Sequence, residues 1–323
     1  MKLGIGFGHD RLTAENLKYA KQLGVSHVIV HSPRLGDRGV LEFLGLLQMK
    51  HFIEHHGLEL AGIENLPGDH WHDVVHAGPR RDEQLENVCE TIRNMGKAGV
   101  PILGYYFSVV GVWGHWRAYR SGGGRGGSGV KSFDFDKVRD APVAETGPVS
   151  VEEMWVRMTY YLERVVPVAE AAGVKLAAHQ DDPPVDYLRG VGRLLTNHDN
   201  IQRLLDIAPS PSNGLEFCQG TVAEMGVDGV VDAIHRFGGQ QKIFYVHFRN
   251  IKGQFPRFDE VFIDEGDVNM HEALKAYQRV GFDGVMTPDH CPIIEGETDY
   301  SHRGMAFSLG YMRALMQVVK QEI

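Results

Sequence analysis

"KLGIGFGHDRLTAENLKYAKQLGVSHVIVH", residues 2–31, holds one complete strand–helix–strand unit. The apolar run 2–7 reads as a strand. Thr13 then offers a side-chain oxygen to open a helix over 13–24, and Gly24 stops it. "HVIVH" (27–31) is rich in β-branched residues and reads as a second strand. Two strands joined through a helix run parallel, because the helical crossover returns the chain to the same end of the sheet.

The unit repeats to the end of the chain. A helix is expected around 39–56, a strand at "LELAGIEN" (58–65) and a helix at about 80–98, with Pro79 near its first turn. "PILGYYF" (101–107) is a strand, followed by a long irregular stretch and a helix at about 151–172. "VKLAAH" (174–179) leads into helical stretches between 185 and 207, and "GLEFC" (214–218) into a helix at about 227–237. "KIFYVHF" (242–248) precedes a helix at about 269–279, and "FDGVM" (282–286) one near 303–321. Eight units fit a single (β/α)8 barrel. A doubly wound sheet would leave two or three units over. The expected organisation is one domain over 1–323, with a long loop insertion at about 108–150 over the C-terminal mouth.

The bulk composition bounds what such a barrel does. With 323 residues, 43% of them apolar and 23% charged, the chain is that of a globular protein with a large core. A net charge of −9 argues against nucleic acid or an anionic membrane as partner. Cys89, Cys218 and Cys291 are too few and too scattered for a disulfide framework. The apolar run at the start of "MKLGIGFGHDRL" is stopped by His9, Asp10 and Arg11, which is not a secretory signal, so a cytoplasmic location is expected. "SGGGRGGSG" (121–129) lacks the strand–turn–helix setting of a phosphate loop and reads as a flexible lid.

Chemistry in such barrels sits at the C-terminal ends of the strands. There the fifth strand presents His179, the sixth Cys218, the seventh His247 and the eighth Asp289. Each alone has a bland reading as a rim histidine, a small buried thiol or a turn cap. On four consecutive strands together they form a mixed N/S/O set that suits a divalent transition metal such as Mn, Fe, Co, Ni or Zn. Arg249 follows His247 and is placed to pair with a substrate carboxylate. Trp113 and His115, after the fourth strand, are placed to cover a substrate.

At these residues the sequence resembles the mannonate dehydratase family of metal-dependent, xylose-isomerase-like barrels. The likeness is carried by residues 64–115, by "AAHQDDPP" (177–184), "LEFCQGT" (215–221), "VHFRNI" (246–251) and "PDHCP" (288–292). It implies a metal on His179, Cys218, His247 and Asp289, manganese or iron first, and acid/base roles for His290 and Tyr300. It implies dehydration of D-mannonate, or a related aldonic acid, to a 2-keto-3-deoxy acid, and a homo-oligomer. Three positions depart from the family pattern: Gln180 stands for a proline, Thr287 for an arginine, and "TDY" (298–300) for Pro-Gly-Tyr. Two alternatives stay open: a sugar isomerase or epimerase on the same barrel, and a homologue that binds a sugar acid without turnover.

Overall fold

The computed structural model describes residues 1–117 and 123–322. Eight strands close into one parallel barrel. They are β1 (Lys2–Gly8), β2 (His27–His31), β3 (Glu59–Glu64) and β4 (Ile102–Tyr105), then β5 (Lys175–His179), β6 (Asn213–Cys218), β7 (Ile243–His247) and β8 (Val285–Thr287). Each strand neighbours the next in sequence, and β8 closes the ring on β1, with Lys2 opposite Val285. The main crossover helices are α1 (Ala14–Gln22), α2 (Phe43–His55), α3 (Arg81–Ala98) and α4 (Val151–Ala172), then α5 (His198–Ile207), α6 (Val230–Gly239), α7 (Met270–Arg279) and α8 (His302–Glu322). This is the expected (β/α)8 architecture. Thr13 caps α1 as its sequence suggests, its hydroxyl accepting from the Asn16 amide at 3.2 Å.

Burial on both faces explains why the strands read as continuous apolar runs rather than alternating ones. One face of each strand packs against the helices. On the inner face Ile29, Ala61, Ile102, Ala177, Phe244 and Val285 form a buried plug near the strand starts. Side chains repeat every two residues along a strand, so His31 follows Ile29 on that face and His179 follows Ala177. The polar groups of the barrel therefore stand on an apolar floor.

Two local expectations change. Helical stretches are expected between 185 and 207, and α5 supplies one, but only from His198 onward. Tyr187–Leu188 and Val191–Gly192 instead pair antiparallel across Arg189 and Gly190, whose φ angles of 53° and 78° make a hairpin turn of the kind that matches strand twist. The second change is a four-stranded sheet outside the barrel. Its strands are Ile251–Gln254, Arg257–Glu260, Lys131–Asp134 and Trp116–Arg117, in that order. It joins the long segment after β4 to the loop after β7. Further bridges tie Gly129 to Ile293, after β8, and Val149 to Val191, after β5. Of the glycine-rich stretch 121–129, residues 121 and 122 lie outside the described residues. Arg125–Gly127 forms a turn, and Arg125 is held 2.7 Å from Asp264.

Candidate metal centre

Three of the four expected ligands converge. One donor atom from each of His179, Cys218 and His247 lies within 4.8 Å of the others. Neighbouring parallel strands make this possible: Cys218 is in register with His247, and Glu216, two residues before Cys218, with His179. Asp289 joins from the turn after β8, with its carboxylate 3.6 Å from His247 Nδ1.

The donor set fits a metal ion. His247 Nδ1 is buried without a hydrogen-bond partner. His179 Nδ1 is turned to the Gln180 carbonyl at 2.5 Å, which leaves Nε2 for the cluster. Burial alone would push the Cys218 thiol up, but Arg249, His179 and His247 outweigh it and bring its pKa down to about 5. Cys218 is then a thiolate at neutral pH, the form that binds metals. Burial likewise opposes the charged form of His179, yet the Cys218 thiolate raises it to about 10. The thiolate and the imidazolium thus favour each other, and a cation binding both donors would replace the His179 proton.

Residues not singled out from sequence complete the surroundings. His247 Nε2 lies 3.0 Å from Glu64 and 3.2 Å from Glu216, an arrangement that orients the ring and leaves Nδ1 toward the cluster. Glu64 also contacts His31 at 3.0 Å and accepts from the Tyr245 hydroxyl at 3.2 Å. The two carboxylates are driven apart in acidity. Burial and the charge of Glu64 raise Glu216 to about 8. Burial would raise Glu64 too, but His31 and His247 hold it well below the usual carboxylate range. Gln180 bridges β5 and β6: its Oε1 accepts from the Cys218 amide at 2.8 Å, and its Nε2 donates to the Glu216 carbonyl at 3.0 Å. A proline could do neither. The two-residue period gave a usable signal, since Glu216 and Tyr245 precede Cys218 and His247 by two and so share their face.

The remaining expected residues divide. His290 lies beside Asp289, with Nε2 3.4 Å from its carboxylate and Nδ1 2.9 Å from Glu260. Arg249 does reach the site, but its guanidinium is met by Glu260 at 2.8 Å, Glu224 at 2.9 Å and Asp182 at 3.2 Å. Its charge is thus committed inside the protein. His115 is also buried, with Nε2 3.1 Å from Asp182. Trp113 lies under the Arg189 guanidinium, 5.0 Å from it. Tyr300 packs on Phe7 with ring centroids 5.0 Å apart, and its hydroxyl donates to the Gly6 carbonyl at 2.7 Å.

The D-mannonate dehydratase (UxuA) family model matches residues 1–146 and 143–323, which is the whole chain. The chain belongs to the D-mannonate dehydratase family. "Mannonate dehydratase 2" of Halalkalibacterium halodurans is 31% identical over 94% of this chain and 95% of its own length. "Mannonate dehydratase" of Thermotoga petrophila is 30% identical over 90% of this chain and 89% of its own. A solved mannonate dehydratase from Streptococcus suis superposes with a TM-score of 0.87 at 26% identity, covering 100% of this chain and 94% of that one. A D-psicose 3-epimerase from Clostridium cellulolyticum, at TM-score 0.61 and 14% identity over 99% of both chains, shares the fold alone. Family membership favours the dehydratase reading over an isomerase, an epimerase or a non-catalytic homologue. Among the described residues, no helix is long and apolar enough to cross a membrane.

Proposed function

We propose that this chain dehydrates D-mannonate, or a closely related aldonic acid, to the 2-keto-3-deoxy acid. The observation that carries this reading is the meeting of His179, Cys218 and His247 beside Asp289 and His290, in a chain of the D-mannonate dehydratase family. The four strand-end residues would hold one divalent metal, manganese or iron, which when bound supplies Lewis acidity against the charge that develops beside the substrate carboxylate. His290, with its ring 36% exposed and propped by Glu260, removes the C2 proton. The C3–oxygen bond then breaks, and the electron pair of the C2–H bond becomes the C2–C3 double bond. Burial raises the pKa of Tyr300 well above that of an ordinary phenol, so the group keeps its proton at neutral pH. Tyr300 is therefore assigned as the acid that converts the leaving hydroxide to water, exchanging its Gly6 acceptor for that oxygen. The resulting enol ketonises to the 2-keto-3-deoxy product. The long segment after β4 serves as a cover over the mouth of a single-domain enzyme, which we place in the cytoplasm as a homo-oligomer with no nucleic-acid partner.

The test is an incubation of manganese- or iron-loaded protein with a panel of aldonic acids, mannonate first. Keto-deoxy acid should appear by colorimetric assay. An NMR spectrum showing only isomerised sugar, or calorimetric binding without any product, would replace the dehydratase reading.

A further inference from the structure

A sugar acid brings a carboxylate into this site, and a cationic side chain beside the proton-transferring residue would tell it from a neutral sugar. Among the described residues, two buried arginines beside the site are already engaged. Arg249 has a side chain only 2% exposed and four carboxylates around it, those of Asp182, Glu224, Glu260 and Asp289. Arg193, 1% exposed, lies 2.9 Å from Asp181 and donates to the Asp182 and Gly111 carbonyls.

Lys131 is in a different state. Its side chain is 19% exposed, and its Nζ lies 2.8 Å and 2.9 Å from the two ring nitrogens of His290. Its ion-pair contact, Glu260, is 3.8 Å away, beyond hydrogen-bonding distance. That carboxylate is already engaged by Arg249 at 2.8 Å and by His290 at 2.9 Å. The ammonium thus rests against an imidazole edge, with donor capacity that no carboxylate takes up at close range. Its position is fixed by the sheet outside the barrel. Lys131 stands opposite Glu260 in the antiparallel register, and Phe133, two residues on, is buried against Phe258 and His115. One face of this strand therefore looks toward His290, and Lys131 is the charged residue on it.

The geometry points to Lys131 as the residue that recognises the substrate carboxylate, and so selects sugar acids over neutral sugars of the same length. This rests on the dehydratase reading. It gives the segment after β4 a chemical task, because that segment carries the cation to the residue that moves the C2 proton. Lys131 holds the carboxylate so that C2 lies next to His290.

The test compares wild type, Lys131→Met and Lys131→Arg, each metal-loaded and checked for metal content and for circular dichroism. With D-mannonate, Lys131→Met should lose about 10- to 100-fold in kcat/KM, mainly through KM, the usual worth of a hydrogen bond to a charged group. Lys131→Arg should recover most of that loss. Calorimetric titration should show wild type preferring mannonate over D-mannitol, and Lys131→Met losing that preference with metal content unchanged. An unchanged KM and an unchanged acid preference in Lys131→Met would overturn the assignment, as would a wild type that binds no aldonic acid. A wild type that binds mannonate but does not turn it over sinks the dehydratase reading alone, because the acid preference is still read from binding.

Discussion

Asp289 and His290 are adjacent in sequence but keep different company. Asp289 faces His247 Nδ1 and Arg249, each at 3.6 Å. His290 faces Glu260 and Lys131, which come from the outer sheet. The turn that separates them has Asp289 at φ 61°, a left-handed conformation that Asp and Asn tolerate better than most residues. Asp289→Asn therefore keeps the backbone and removes only an anionic donor. We expect it to lose metal and turnover together. His290→Asn should keep its metal content and lose about two to four powers of ten in kcat, the range for a positioned acid or base. Elemental analysis beside steady-state kinetics separates the two. If His290→Asn loses metal in step with activity, His290 belongs to the coordination shell and not to proton transfer.

At the scale of elements, the second half of the barrel was readable and the first half was not. The ends of β5 to β8 carry His, Cys, His and Asp, residue types that stand out after an apolar run. The ends of β2 and β3 carry His31 and Glu64, which look like ordinary strand-end polar residues. Their place under the candidate metal centre depends on which face they occupy, and a slip in the register of β2 on β3 at Val28/Ile29 hides that from a simple count. Glu260 and Lys131 escaped because the charged strands Arg257–Glu260 and Lys131–Asp134 lack the apolar period of barrel strands. β4 makes its contribution through an absence. A methyl group on Gly104 would collide with the Tyr245 hydroxyl and with Glu216. Gly104→Ala should therefore cost about 1–3 kcal/mol, the usual range for overpacking. It should also weaken metal binding, since Glu216 helps to hold His247. Calorimetric unfolding and metal titration check both effects. An unchanged Tm with unchanged metal affinity would show that the pocket under His247 has slack.

For the whole molecule, the candidate centre links separate parts of the barrel. His179, Cys218, His247 and Asp289 come from four successive strand ends, so one ion would cross-link half of the ring. A metal that binds the folded chain stabilises it by mass action, and chelation should lower Tm. The pH dependence of this effect has a definite sign. In the metal-free protein, His179 holds its proton up to about pH 10, because the Cys218 thiolate beside it outweighs the cost of burial. A metal needs the neutral imidazole, so its binding releases that proton. Burial opposes the charged form of His247 too, but Asp289, Glu64 and Glu216 hold it well above the usual imidazole range, so it also gives up a proton, whereas Cys218, lowered to about 5, is already ionised at neutral pH and adds little. Each displaced proton makes affinity rise about tenfold per pH unit. Between about pH 6 and pH 8 the metal affinity should therefore rise by about 100-fold or more, and the metal-induced gain in Tm should grow with it. Titrations in buffers of different ionisation enthalpy count the protons directly. A metal-induced Tm gain that is flat or falls over this range, with no proton release, would mean that His179 and His247 are both neutral before the metal arrives.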